Sequence, residues 1–287
     1  MDETASTRRL IVNADDFGLH PCVNQAIILA HREGIVTSTT ILAGGTAFFD
    51  SIDELKRCPE LGIGIHLCLV DQKPVLPPRK IPSLVDSEGG FYASYSQFIK
   101  RYALGKIKFD EVKAEFSAQI EILLDAGIHP THQDSHQHLH LLPGISQIVM
   151  DLGRKYGIRG IRIPTERMFY SSDPTSPLRL VQSRFVSRLA SRCRRESERA
   201  GFKSPDYFAG FTRGGRFLLE TWRSAIPALP AGVTEVMVHP GTDSGVLDEY
   251  TGWGYRWSEE LEALLHPEVR LMLIENGVEL THYGRLF

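Results

Sequence analysis

Short apolar or alternating runs are followed, again and again along this chain, by segments with helical spacing. Leu10-Ile11-Val12-Asn13-Ala14 is an apolar run that enters Asp15-Asp16-Phe17-Gly18, the pattern of a buried strand running into a loop. Residues 23–32 have helical spacing and stop at Gly34. Residues 36–43 are β-branched and precede Gly44-Gly45, and residues 61–69 alternate, with His66 near the end; both predict strands. A short helix is expected over 51–57. From Asp71 to Gly90 the chain carries Pro74, Pro77, Pro78 and Pro82 and reads as a long loop. Residues 109–126 predict an amphipathic helix with Val112, Phe116, Ile120 and Leu123 on one face. Then come a strand over 130–136, a helix over 143–156, a strand over 160–164 and a helix over 183–200. A strand over 234–239 and a helix over 258–265 follow, and 269–274 is a last strand or the start of a helix.

This alternation predicts a parallel sheet with right-handed crossovers. About seven βα units within 287 residues favour an α/β barrel of TIM-barrel type, with about seven parallel strands, over an open sheet. We expect a single domain spanning 1–287, with a loop insertion near 71–105 and a helical insertion near 170–215. Asp15 and Asp16, Gly44 and Gly45, His66, Asp134 and His136, Arg162 and His239 all fall at the C-terminal ends of the expected strands. In a (β/α) barrel that face carries the active site.

The composition narrows the classes. The formal net charge is -3, which disfavours a dedicated nucleic-acid binder. No apolar run reaches the roughly 18–20 residues of a membrane-spanning helix. The first residues, MDETASTRRL, hold no apolar signal core, so a cytoplasmic protein is expected. Cys22, Cys58, Cys68 and Cys193 form no C-x-x-C pair and read as free thiols.

Of the 11 histidines, five lie from His129 to His140, denser than packing alone explains. His132, Asp134, His136, His138 and His140 share one parity, so an extended chain puts them on one face. On a helix, His132/His136 and His136/His140 pair at i,i+4. Either geometry presents imidazoles to one metal, with Asp134 placed to fix a histidine tautomer. His66 stands in an apolar strand between Gly62, Gly64 and Leu67, where the glycines leave space beside it. Asp15 and Asp16 are neighbours on an extended backbone and point different ways, so one can bind metal while the other faces a reacting water. Carboxylate plus neutral imidazole suits a divalent ion such as Zn²⁺, Co²⁺, Ni²⁺, Mn²⁺ or Fe²⁺. Metal-assisted hydrolysis with a spare carboxylate as base is the reaction class implied. His239, at the end of another strand, is placed to donate a proton to a leaving group. Arg162 is placed to hold a carboxylate or to contact substrate.

Asn13-Ala14-Asp15-Asp16-Phe17-Gly18, residues 34–40 (GIVTSTT), Gly64-Ile65-His66, the Thr131–His140 run and His239-Pro240-Gly241 together resemble the YdjC-like carbohydrate deacetylases. That family includes chitooligosaccharide deacetylases and a branch associated with hopanoid biosynthesis. The resemblance implies a distorted (β/α) barrel, a divalent metal (Zn²⁺ or Mg²⁺) and hydrolysis of an N-acetyl group on an amino sugar. Carried over by position, it implies Asp15 as general base, Asp16, His66 and His136 as metal ligands, and His239 as general acid. Classical polysaccharide deacetylases draw both histidines from one H-x-x-x-H motif, a spacing that His132 and His136 also have; the family pattern favours His66.

The aromatics of 204–211, Tyr207 and Phe208 among them, and Tyr250, Trp253, Tyr255 and Trp257 are candidates for stacking on sugar rings. Arg184, Arg188, Arg192, Arg195 and Arg199 form a basic stripe that would suit peripheral contact with an anionic membrane and hence a lipid-linked amino sugar. The expected partners are an N-acetylated amino sugar (chitooligosaccharide or lipid-linked N-acetylglucosamine), that membrane surface and a second copy of the chain. Two rival readings keep the histidines: a non-catalytic metal- or carbohydrate-binding barrel, and a barrel hydrolase for another amide or a phosphoester.

Overall fold

The computed structural model describes residues 7–166 and 177–286. Strand β1 (Arg8–Phe17) is followed by α1 (Pro21–Arg32), β2 (Ser38–Ile41), α2 (Ile52–Lys56) and β3 (Gly62–Leu67). A long loop leads to α3 (Tyr95–Ala103) and α4 (Phe109–Asp125). Then come β4 (His132–Ser135), α5 (Ile145–Tyr156) and the short β5 (Gly160–Ile161). The described chain ends with α6 (Pro177–Arg199), β6 (Tyr207–Ala209), α7 (Leu219–Ala225), β7 (Gly232–Val238), α8 (Ser244–Thr251), α9 (Trp257–Leu265), α10 (Pro267–Glu275) and β8 (Val278–Leu280). Residues 269–274 are therefore helical, started by Pro267 and by the His266 ring, which accepts from Glu268 N. The aromatic segment at 207–209 is a strand, too short to show a period of two.

All strand pairs are parallel, in the order β5-β4-β3-β2-β1-β7-β6. β7 pairs along Arg8–Ala14 of β1; the other edge of β1 is shared, β8 meeting Arg8–Leu10 and β2 meeting Asn13–Phe17. β5 and β6 do not pair with each other among the described residues; isolated bridges join Gly160 of β5 to Lys203 and Glu166 to Phe208 of β6. The sheet thus curls into the distorted barrel that the sequence predicts. Among the described residues no helix is long and apolar enough to cross a membrane.

The alternation of β1 separates two environments. Leu10, Val12 and Ala14 join the large apolar core with Val23, Ala26, Ile27 and Ala30 of α1. Ile11, Asn13 and Asp15 point the other way. Ile11, Val233 and Tyr283 form a small apolar floor. Above it the interior is polar: His132 Nε2 lies 3.1 Å from Asn13 Oδ1. Strands β2 and β3 separate β1 from β4 in the sheet, so this contact crosses the barrel. Such an interior is normally filled by branched apolar side chains. Here it is filled by ionisable ones.

Candidate metal centre

The register between β1 and β2 slips after Ala14. Ala14 faces Thr39, but Phe17 already faces Ile41, so β1 carries one extra residue. The bulge puts Asp16 at φ 68°, a left-handed conformation that aspartate tolerates better than most residues. On the extended backbone expected from the sequence the two carboxylates would simply alternate; the left-handed Asp16 breaks that alternation.

His136 Nδ1 lies 3.2 Å and His66 Nε2 3.4 Å from Asp16 Oδ1, and all three side chains are buried. The candidate ligand atoms lie within 4.8 Å of one another. Neither carboxylate oxygen of Asp16 has a hydrogen-bond partner among the described residues, and neither does His136 Nε2. A buried carboxylate without donors is costly, and a cation is what one oxygen and two imidazole nitrogens can jointly satisfy. The other nitrogen of His66, Nδ1, is 2.7 Å from Asp134 Oδ1 and 3.2 Å from Thr40 Oγ1. This fixes the ring and leaves Nε2 for a ligand. Burial disfavours the protonated form of His66, but Asp134, Asp15 and Asp16 pull its pKa up to about 9. Burial likewise works against ionisation of Asp16, yet His136, His66 and His239 hold its pKa below the ordinary value. The residues present therefore fit a divalent ion.

Asp15 sits deeper. Arg162 grips it with two bonds, Nη1 to Oδ2 at 2.6 Å and Nη2 to Oδ1 at 2.7 Å. Asn13 Nδ2 (2.8 Å) and Thr40 Oγ1 (3.2 Å) donate to the same Oδ1. Burial opposes its ionisation, but Arg162, with His66 and His239, holds Asp15 well below the usual carboxylate range. Arg162 is itself fully buried and also binds Asp134 and, through Nε at 2.8 Å, Glu235. Tyr283 donates to Glu235 at 2.6 Å and stacks on His132 at 3.8 Å, and His132 meets Asn13. Burial pushes Glu235 up to about 7.

His239 ends β7. Its backbone N–H donates to Glu260, which also accepts from Phe217 N at 2.6 Å. Its ring lies 5.0 Å from that of Tyr255, and Nδ1 has no hydrogen-bond partner among the described residues. Burial lowers its pKa, against the pull of Asp15 and Asp16.

Several expected residues lie elsewhere. Arg162 does not reach open space; it holds carboxylates, the other role its position allowed. Phe208 is buried, its ring 5.8 Å from the Arg162 guanidinium and 6.1 Å from His138, so it offers no surface to a sugar. Tyr207 is half-buried beside it in β6. The histidine run is neither one strand nor one helix. β4 stops at Ser135, and Gln137 and His138 turn left-handed at φ 54° and 57°. His136 consequently joins Asp16, His140 bonds Ser135 Oγ and the Arg162 carbonyl, and His138 packs near Phe208 and Phe211. Gly64 serves His132: a Cβ there would lie 2.5 Å from His132 Nε2, so the space is for that ring and not for a ligand. On α6, Arg184, Arg188, Arg195 and Arg199 are exposed, while Arg192 pairs with Glu196 at 2.7 Å. Thr40, Glu235, Glu260 and Tyr283 were not singled out from the sequence. A glutamate within the apolar run Val233-Thr234-Glu235-Val236-Met237-Val238 was the available signal.

The family model of YdjC-like proteins matches residues 9–275. A carbohydrate deacetylase of Mus musculus is 33% identical over 95% of this chain and 93% of its own length. One from Enterococcus faecalis V583 is 30% identical over 98% of this chain and 99% of its own. The crystal structure of an Enterococcus faecalis V583 protein, provisionally linked to cellobiose-phosphate cleavage, superposes with a TM-score of 0.77 at 30% identity, covering 98% of this chain and 99% of that one.

Proposed function

The chain belongs to the YdjC-like family, and on that premise we propose that it is a divalent-metal-dependent hydrolase that removes the N-acetyl group from an N-acetylated amino sugar and releases acetate. The names of its relatives support the reaction class. The observation that carries the reading is the buried Asp16–His66–His136 cluster, with Asp134 behind His66.

Asp16, His66 and His136 would hold the ion. One carboxylate and two imidazoles suit a borderline transition ion such as Zn²⁺ better than Mg²⁺, which prefers oxygen ligands. Bound there, the ion would supply Lewis acidity toward the acetamide carbonyl and lower the pKa of the attacking water. The chain's own residues do the rest. Asp134 keeps His66 in one tautomer. Arg162 fixes Asp15, the general base of this reading. His239 protonates the departing sugar amine.

One observation favours a different division of the proton work. The oxygens of Asp15 accept from Arg162 twice, from Asn13 and from Thr40. His239 is held toward its neutral form, with Nδ1 unengaged. In this second reading His239 takes the proton from water and returns it to the amine, and Asp15 orients. His239→Ala then loses more turnover than Asp15→Asn; the first reading predicts the larger loss for Asp15→Asn.

The test of the function is direct. Zn²⁺-loaded protein is incubated with chitooligosaccharides and with a lipid-linked N-acetylglucosamine, and acetate is measured. Acetate release that a chelator abolishes is expected. Sugar binding without acetate would identify a non-catalytic binding barrel, and release of phosphate or another acid would identify a different hydrolase.

A further inference from the structure

A cavity of about 350 Å³ opens beside the metal centre. Its walls are Thr46 from the turn after β2, Asp71 and Phe91 from the long loop after β3, and Tyr250 and Trp253 from the end of α8 and beyond. Trp253 joins cavity to centre, its ring centroid 5.2 Å from that of His136. Resting on the deacetylase reading, we infer that this cavity is the sugar subsite: Trp253 gives its ring face to the pyranose and Asp71 accepts from its hydroxyl groups. The occupant is the end of a short amino sugar, not the interior of a polymer.

Three observations lead there. The indole N–H of Trp253 is already bound to Asp71 Oδ2 at 3.0 Å. The indole is therefore fixed in orientation; its ring packs near Trp257 (5.7 Å), Tyr255 (5.5 Å) and His136 (5.2 Å), and the part of it that lines the cavity is apolar, the kind of surface that stacks on sugar C–H groups. The carboxylate that fixes it keeps its second oxygen to accept a hydroxyl proton.

Asp71 is held in a left-handed conformation, φ 63°. That conformation is unfavourable for a side-chain-bearing residue and persists where the surroundings over-determine it. They do so here: Asp71 N donates to Tyr92 O at 3.0 Å, and Phe91 N to Gln72 O at 3.1 Å, so the two ends of the loop clasp each other.

The loop is also tied down from below by one face of α4. Glu115 accepts from Val75 N at 2.9 Å and Leu76 N at 3.0 Å. Glu111 accepts from Ser83 N at 2.7 Å, and Gln119 brackets Cys68 through both its amide groups, at 2.9 and 2.8 Å. Buried acids at i, i+4 and a glutamine at i+8 thus replace the backbone ladder that the proline-rich segment cannot make. The loop is a built wall. The volume it encloses lies near the lower end of the roughly 300–1,000 Å³ of small-molecule sites, room for one or two sugar rings.

Of the three tryptophans, Trp222 and Trp257 are fully buried and Trp253 is half-buried, with Trp257 stacked on it at 5.7 Å, so an emission change on adding sugar that is lost in Trp253→Ala reports this site. The experiment titrates chelator-treated protein with N,N′-diacetylchitobiose and with a chitin hexamer, following indole emission. It then measures KM for acetate release in metal-loaded Trp253→Ala, Asp71→Ala and Asp71→Asn. A saturable emission change is expected, with the dimer binding as tightly as the hexamer. KM should rise about tenfold in Trp253→Ala, with metal content unchanged. Asp71→Ala should follow it. Asp71→Asn, which keeps an acceptor for the indole and tolerates positive φ, should recover most of the loss. Wild-type acetate release with no emission change and an unaltered KM in Trp253→Ala would overturn the subsite and leave the deacetylase reading standing. A hexamer that binds far more tightly than the dimer would overturn the size limit. A saturable emission change without acetate would keep the subsite and refute the activity.

Discussion

Replacing Arg162 by methionine removes a cation that three buried carboxylates share. In the structure its guanidinium binds Asp15 twice and also reaches Asp134 and Glu235, and all four side chains are excluded from water. Removing one partner of such a group leaves charge buried without compensation, which costs about 3–5 kcal/mol. For a chain of this length about 2 °C of Tm is lost per kcal/mol, so Arg162→Met should melt about 6–10 °C lower at neutral pH. The loss has a pH signature. In the wild type Asp15 is held below its ordinary pKa of 3.8, so its contribution is in place above that value and is lost as pH falls through the folded one. Without Arg162, burial dominates and the folded pKa of Asp15 rises above the unfolded value. The variant then binds more protons folded than unfolded, and it loses stability as pH rises through that window. The deficit is therefore largest at neutral pH and narrows on acidification. Thermal melts of both proteins across that range check it. An unchanged Tm at neutral pH, or a deficit that widens in acid, would refute the account of Arg162 as the interior counter-charge.

Two further outcomes are expected. Gly64→Ala should destabilise by about 1–3 kcal/mol, because the new Cβ would press on the His132 ring from 2.5 Å, and a denaturant midpoint shift measures it. Glu260→Gln should leave one of two buried N–H groups, of Phe217 or His239, without an acceptor, at about 1–3 kcal/mol. Because burial raises Glu260 from 4.5 to about 7, its contribution is full below the unfolded value and fades as pH rises to the folded one. The variant's pH–stability curve should be flatter over that interval.

The barrel was legible because its outer face follows simple rules. Apolar runs and amphipathic helices, such as Val112, Phe116 and Ile120 of α4, point to one core. β5 was expected over 160–164 and is shorter, Gly160–Ile161; β6, with three residues, holds too few positions for a period, and β8 hides behind α10. Asp15, Asp16, His66, His136 and His239 were found as strand-end residues. Their mutual geometry was not legible, because it depends on backbone irregularity. The bulge at Asp16 and the left-handed turn at Gln137-His138 each break the parity from which side-chain directions are read. Glu235 and Tyr283 escaped for another reason. Their partners come from different strands across the barrel, a relation that no local pattern encodes.

The central claim, that Asp16 belongs to a metal site from which Asp15 is distinct, is tested most directly by comparing Asp15→Asn and Asp16→Asn for bound metal and for acetate release with and without added Zn²⁺. Asp15→Asn should keep its metal and lose about 10²–10⁴ in turnover that added metal does not restore. Asp16→Asn should come depleted of metal and regain part of its activity as Zn²⁺ is raised. Full metal occupancy in Asp16→Asn, or rescue of Asp15→Asn by Zn²⁺, would contradict the account.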